Sequence, residues 1–482
     1  MKNVLLRSTP EEEGIDSGLL IDFLNEMEKE GAEIHGIMAV VNQKVIFEAY
    51  NAPYRADIPH ILHSYTKTFT NTAAALAYTN GLLRLEDKVL SYFPQYADGA
   101  NEYLKELKLL DLITMRSGQI RGIGGNEWRP LDSSWIDAYF QVPWVEMPGK
   151  RYLYSSGNSY ILSAVVQKVT GKTCHEYLAE NLMPEIGIGD FTWQTSPEGI
   201  CSGGNGISLC VEDMTRMGML YLNHGMWNEK QLLSPEWVDM ALGYKRMVTM
   251  SEGDPEYNFH WEHSGDIWAA TGMFGQGSII IPKLNMVIGM TAADSHYRAT
   301  KGGLIQKTIV DPALVQREQK EGAGNEILKN KGLRMTLEGK YRSYSNEKRD
   351  EYGRYEYRVS DETDGIKRIV LEFLDEQINF SMEDQRGYHT VACGLDRWIG
   401  SSTSMTGAYL HHQYELDEMK VSACAFWETE NQLLMEWRFP EMAFCDHVRI
   451  VFDGHDEIRM KRWVNMNSEA LERPEVIGKI TR

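Results

Sequence analysis

The chain has no paired cysteines, no excess of basic residues and no long apolar run, and each absence removes a class of function. Its six cysteines (Cys174, Cys201, Cys210, Cys393, Cys424 and Cys445) are scattered, with no C-x-x-C pair. That spacing argues against a zinc ribbon or a disulfide frame and suits free thiols in a reducing compartment. Basic residues number 49 against 69 acidic ones, a formal charge of −20. Such a surface repels nucleic acid and anionic lipid. No apolar stretch reaches the length of a membrane span. The opening MKNVLLRSTPEEEGID has one short apolar run, broken by Arg7 and followed by Pro10 and three glutamates, unlike a secretory signal. The expectation is a cytoplasmic protein with no nucleic-acid partner and no membrane contact.

Several catalytic signatures are missing as well. There is no G-x-S-x-G elbow, so an α/β-hydrolase triad has no obvious nucleophile. There is no H-E-x-x-H or other dense ligand cluster, and His260 and His263 read as exposed or capping histidines. The run VTGKT imitates the end of a phosphate-binding loop, but the first glycine of that motif would fall at Val166, inside a helix. No metal and no cofactor are expected.

What is present is a soluble-protein composition, 43% hydrophobic over 482 residues, too long for a single core. Residues 1–314 mix helix and strand patterns: a helical stretch near residues 10–31, then HGIMAVVNQKVIFEAY as two strands joined at Asn42-Gln43. Residues 315–332 are charged and contain glycine, as a linker does. Residues 333–482 alternate with a period of two, in QINFSMED, KVSACAFWE and QLLMEWRF, with turns such as Asp453-Gly454. They predict an all-β, barrel-like accessory domain.

The stretch LHSYTKTFTNTAAALAYTNG, residues 62–81, predicts a buried helix that Gly81 ends. Ser64 and Lys67 fall three apart at its start, on one face, where a desolvated lysine can act as a base. Alone, the spacing is weak, since Ser345 and Lys348 repeat it in a polar run. Two further segments give it context. PGKRYLYSSGNSYILSAVVQKVTGKT carries Tyr154-Ser155-Ser156 before an amphipathic helix from Tyr160 to Thr170. IWAATGMFGQGSIIIPKLNMVIGMTA places Gly272, Gly275 and Gly277 between strands, with a hairpin turn at Lys283–Asn285.

In order and spacing, these segments resemble the serine β-lactamase-like hydrolases of the class C type, a group that includes β-lactamases, DD-peptidases, esterases and nylon-oligomer hydrolases. DLITMRSGQIRG and CSGGNGISLCVEDMTRMGMLYLNHGMWNEKQLLSPEWV extend the resemblance over roughly residues 10–310. It implies an α+β fold, an antiparallel sheet flanked by helices with a helical subdomain, followed by a lipocalin-like β domain. It further implies Ser64 as nucleophile, Lys67 as the group that helps deprotonate it, and Tyr154 as the group that takes and returns the proton, with the backbone N–H groups of Ser64 and Met273 as the oxyanion hole. Ser156, Asn158, Thr271, Gly272 and Gln276 would contact substrate.

The departures are specific. Tyr154-Ser155-Ser156 replaces Y-x-N, and Ala270-Thr271-Gly272 replaces Lys-Thr-Gly, removing the cation that holds a substrate carboxylate in relatives. Arg116, Arg121 or Arg151 could restore one from another loop. The reading is a serine hydrolase acting on a small ester or amide. The alternatives are a β-lactamase or D-amino-acid peptidase, or an idle member of the fold that binds a ligand.

Overall fold

The computed structural model describes residues 4–245, 256–297, 303–315, 323–337, 353–405, 407–454 and 456–481. Ser345 and Lys348 lie outside the described residues. The chain divides into two compact units, one of residues 1–51 and 56–335, the other of residues 52–55 and 336–482.

The first unit is built on an eight-stranded sheet. Its strands are β1 (Leu6–Arg7), β2 (Glu33–Val41), β3 (Lys44–Tyr50), β4 (Tyr257–Asn258), β5 (Trp261–Ser264), β6 (Ile267–Gly272), β7 (Gln276–Ile281) and β8 (Met286–Ala293). They lie in the order β1-β3-β2-β8-β7-β6-β5-β4, antiparallel except for the β1–β3 pair. The tight hairpins follow from residues that tolerate positive φ: Asn42 and Gln43 between β2 and β3, and Asn285 between β7 and β8.

Because side chains alternate along a strand, the sheet feeds two cores. Ile279, Ile281, Ile288, Ile37 and Ala39 face one side, where they meet Leu20, Phe23, Leu24 and Met27 of helix α1 (Ser17–Lys29). Ile280, Val287, Met38, Val40 and Ala270 face the other, against helices α2 (Thr66–Thr79), α3 (Ser156–Thr170) and α4 (Val211–Leu222). The larger, mostly helical part of the unit lies on this second side. Tyr65, just ahead of α2, ties the layers together by donating to Ser278 Oγ on β7 at 2.6 Å.

Two expectations need correction. The linker predicted at 315–332 is, where described, a helix over Ala323–Leu333, with Leu328 fully buried and Lys331 paired to Glu28 on α1 at 3.0 Å. Its one apolar anchor is too sparse to show a period in sequence, and tertiary packing stabilises the helix instead. The helix predicted from Tyr160 begins at Ser156 and is not amphipathic: every residue from Ser156 to Val166 is buried.

The second unit is a β-barrel. Arg354–Val359, Arg368–Phe373, Gln377–Glu383 and Tyr388–Leu395 form one meander, and Met419–Thr429 through Val476–Ile480 form another. The meanders join where Val476–Ile480 pairs with Arg354–Val359. The ring closes where Gly394 and Leu395 pair in parallel with Cys424 and Ala425. Nine strands make the ring, and Ile399–Thr403 pairs along the same edge of Met419–Thr429. Among its apolar side chains the barrel buries an ionic cluster in which Asp446 accepts from His411 Nε2 at 2.7 Å and from Arg462 Nε at 2.8 Å. Burial alone would raise the pKa of this carboxyl, but the charges of His411 and Arg462 prevail and hold it at about 2. The stabilisation is therefore complete above the ordinary carboxylate range and is lost only as pH falls toward 2. Asp446→Ala strands a buried guanidinium and should cost about 3–5 kcal/mol in urea denaturation followed by tryptophan fluorescence.

Candidate active site

Three segments converge on the start of α2. His60–Ile61 pairs with Ile207–Leu209, and Leu62 N–H donates to Ile207 O at 2.9 Å. A single 3-10 turn, His63–Tyr65, then leads into α2. Ser64 stands partly exposed in that turn, while Lys67, one turn into the helix, is 1% exposed. The shared face brings them together: Lys67 Nζ donates to Ser64 Oγ at 3.0 Å. Its other protons go to Ser156 Oγ at 3.1 Å and the Gly204 carbonyl at 2.7 Å.

None of these three acceptors is a carboxylate. Burial, reinforced by the positive charge of Arg129, lowers the Lys67 pKa to about 7. A lysine so placed is neutral in about half of the molecules at physiological pH.

Tyr154 precedes α3 and is 41% exposed, with its phenol close enough to Ser64 to be influenced by it. Burial pushes its phenol pKa up; the Ser64 hydrogen bond opposes this, and Glu262 adds to it. Lys67 Nζ lies over the ring, 4.8 Å from its centroid. Lys67 is not among the groups that lower the phenol pKa. The proton that moves near neutrality belongs to the lysine.

Strand β6 supplies the third segment. A Cβ on Gly272 would lie 2.0 Å from Leu62 O and 3.0 Å from Tyr65 N, so only glycine lets the strand end close on the Ser64 turn. Phe274, two residues on, packs its ring edge-to-face on His63 at 5.3 Å. The backbone N–H of Met273 is thereby carried to the turn. The Ser64 N–H, at the start of a helical run, has no intrahelical acceptor. These two amides are the candidate oxyanion donors.

The remaining predicted substrate contacts divide. Ser156, at the asparagine position of Y-x-N, accepts from Lys67. Thr271 Oγ1 donates to Glu262 Oε1 at 3.3 Å. Asn158 does not reach the site: it is buried, accepts from the Tyr139 hydroxyl at 3.0 Å and faces Met115 Sδ at 3.6 Å. Gln276 is also a structural clamp. Its Nε2 donates to Met273 O at 3.2 Å and Ala292 O at 2.8 Å, and its Oε1 accepts from Ala292 N at 3.2 Å. Both sit where the chain is buried on all sides, so their polar atoms are satisfied inside the protein.

His260, expected from the sequence to be exposed or capping, is buried instead. It is 4% exposed, with Nδ1 3.2 Å from the Tyr257 hydroxyl and its carbonyl accepting from Thr68 Oγ1 at 3.2 Å. Burial, and then the charge of Lys67, push its pKa well below the usual imidazole range, so it is neutral. Its flanking Phe259 and Trp261, both core residues, were the available signal. His263 is partly exposed and pairs with Glu256. Of the three arginines considered, Arg121 pairs with Glu127, Arg151 pairs with Glu146, and Arg116 is buried over the Tyr152 ring. Among the described residues, one trio brings metal-capable atoms within 4.8 Å of one another, Glu436, Cys445 and His447 on the barrel. There Glu436 already meets His447 Nε2 at 3.4 Å as an ordinary carboxylate–imidazole pair.

The family model described as Beta-lactamase matches residues 24–307. The chain belongs to the beta-lactamase family. Among curated proteins it is similar to the 6-aminohexanoate-dimer hydrolase of Paenarthrobacter ureafaciens, at 22% identity over 62% of this chain and 84% of that protein. Among solved structures it is similar to a provisionally named 6-aminohexanoate-dimer hydrolase from Bacillus anthracis, with a TM-score of 0.53 and 21% identity over 60% of this chain and 81% of that one. A provisionally named beta-lactamase from Bacteroides dorei gives a TM-score of 0.51 and 17% identity over 61% and 98%. The beta-lactamase fold thus accounts for the first unit, and the family is one of serine hydrolases.

The close approach at Gly272 yields a test. Gly272→Ala should push β6 off the Ser64 turn and lower kcat by about a hundredfold, as losing an oxyanion donor does. Steady-state ester hydrolysis alongside a thermal melt separates this from unfolding.

Proposed function

We propose that the protein hydrolyses a small ester or amide through an acyl-enzyme formed on Ser64. The observation that carries the reading is the contact of a buried Lys67, its pKa lowered to about 7, with Ser64 Oγ at 3.0 Å. In acylation the Lys67 amine takes the Ser64 proton as Oγ attacks the substrate carbonyl, and the N–H groups of Ser64 and Met273 receive the oxyanion. Collapse of the tetrahedral species breaks the bond to the leaving group, which takes the Tyr154 proton. In deacylation a water gives a proton to the Tyr154 phenolate as its oxygen attacks the acyl carbon. Ser64 then leaves with the proton held on Lys67, and the site is restored. Tyr154 suits this role because its raised pKa keeps it protonated in the resting enzyme, as an acid should be.

Ala270, buried on β6 and lacking a donor, supports an ester or amide without the carboxylate that β-lactams and D-alanyl peptides carry. Six described cysteines, all free, support a reducing, cytoplasmic setting.

Hydrolysis of p-nitrophenyl esters tests the reading. Ser64→Ala should abolish turnover with little loss of stability. Lys67→Arg, charged at every accessible pH, should lower kcat by about 10²–10⁴-fold, and Tyr154→Phe by about a hundredfold or more. Undiminished turnover by Ser64→Ala would overturn the nucleophile assignment. A wild-type protein that binds esters without cleaving them would be an idle member of the fold.

A further inference from the structure

The two candidate oxyanion amides come from separate parts of the chain, and beside each stands a residue with a left-handed backbone that is not glycine. His63, whose carbonyl forms the peptide bond carrying the Ser64 N–H, has φ 48°. Phe274, which follows Met273, has φ 66° and ψ 19°. Asn and Asp reach this region readily because their short side chains bond the nearby backbone. A phenylalanine has no such compensation and stays there only where its surroundings hold it.

The two side chains hold each other. Their rings meet edge-to-face at 86°, with 5.3 Å between centroids, and His63 and Phe274 are only 3% and 4% exposed, so water does not compete for the contact. The chain around each is pinned as well. Leu62 N–H donates to Ile207 O at 2.9 Å, and Leu62 O accepts from Tyr65 N–H at 3.1 Å. Met273 O accepts from Gln276 Nε2 at 3.2 Å, and Phe274 O from Asp294 N–H at 2.9 Å. Between these anchors the Ser64 and Met273 amides donate to no backbone acceptor among the described residues. The ring pair joins the two turns through side chains, as the close approach of Gly272 to Leu62 O joins them through backbone.

We infer that His63 and Phe274 are positioning residues whose buried ring contact fixes the spacing of the Ser64 and Met273 amides, and hence their fit to the oxyanion. The inference rests on the hydrolase reading above and adds to it two residues that act through the backbone. Displacing a catalytic donor by about 1 Å costs about a hundredfold in rate, so a contact that holds two donors in register has a kinetic signature.

Steady-state hydrolysis of a p-nitrophenyl ester by the full-length enzyme tests it. His63→Asn keeps a residue that accepts the left-handed turn but removes one ring, and Phe274→Leu removes the other. Each should lower kcat by about ten- to a hundredfold and change KM by less than about threefold, because the loss falls on the transition state. Affinity for an alkyl trifluoromethyl ketone, which adds Ser64 Oγ reversibly to give a hemiketal oxyanion, should fall by the same factor as kcat/KM, a match that loosened packing alone does not produce. His63→Phe restores an aromatic edge and should recover most of the loss seen in His63→Asn. The double variant should be little worse than the poorer single one, since the same contact is lost either way. Wild-type kcat in either ring-deleting variant, losses that multiply in the double variant, or a change confined to KM would overturn the inference while leaving the hydrolase intact. Should Phe274→Leu fail to fold, the comparison of His63→Asn with His63→Phe decides alone. Absence of turnover and of a covalent label on Ser64 in the wild type overturns the hydrolase reading, and this inference with it.

Discussion

The ammonium of Lys67, enclosed where water cannot solvate it, is the constraint around which the first unit is arranged. Burying such a charge without compensation costs several kcal/mol, and the protein offsets this in two ways. It supplies three oxygen acceptors from three separate parts of the chain, Ser64, Ser156 and Gly204, and it lets the group shed its proton near neutrality. Each acceptor has its own scaffold. Ser64 depends on the 3-10 turn that β6 presses against, Ser156 on the first turn of a helix buried from Ser156 to Val166, and Gly204 on a loop locked to α2 where Thr70 Oγ1 donates to Gly203 O at 2.7 Å. The helix bearing the lysine is buried on every side from Thr66 to Ala77, which is what excludes water.

The same enclosure assigns the proton transfers. A lysine at about 7 and a tyrosine raised above its usual range are two titratable groups whose environments push them to opposite tasks, a base and an acid. His260, neutral and hydrogen-bonded to Tyr257, adds polarity without adding a competing charge beside the lysine.

How much of this the sequence disclosed depended on whether a role followed from backbone periodicity or from side-chain direction. Ser64 and Lys67 were legible because a helix places residues three apart on one face. The hairpins at Asn42-Gln43 and Asn285 were legible because few residues accept positive φ. Asn158 and Gln276 were misplaced because their distance from a motif says nothing of where the amide points. Asn158 turns toward Tyr139, and Gln276 bridges to Ala292. Glu262 went unread and His260 was misread as exposed or capping for a different reason. They sit on β5 and the turn before it, and only the register with β6 brings that hairpin to Thr271 and Lys67. The helix over Ala323–Leu333 was hidden because a single buried leucine anchors it.

The central claim is that Ser64 is activated by a lysine that has lost its proton near neutrality. The most direct measurement is the rate at which a fluorophosphonate labels Ser64 as a function of pH, with the site of attachment read by mass spectrometry. The Lys67 pKa is lowered from its ordinary value, so the amine gains its base form as pH rises, and the labelling rate should climb through a single ionisation centred near pH 7 and level off above it. A flat profile, a midpoint above pH 9, or an adduct on a residue other than Ser64 would contradict the account.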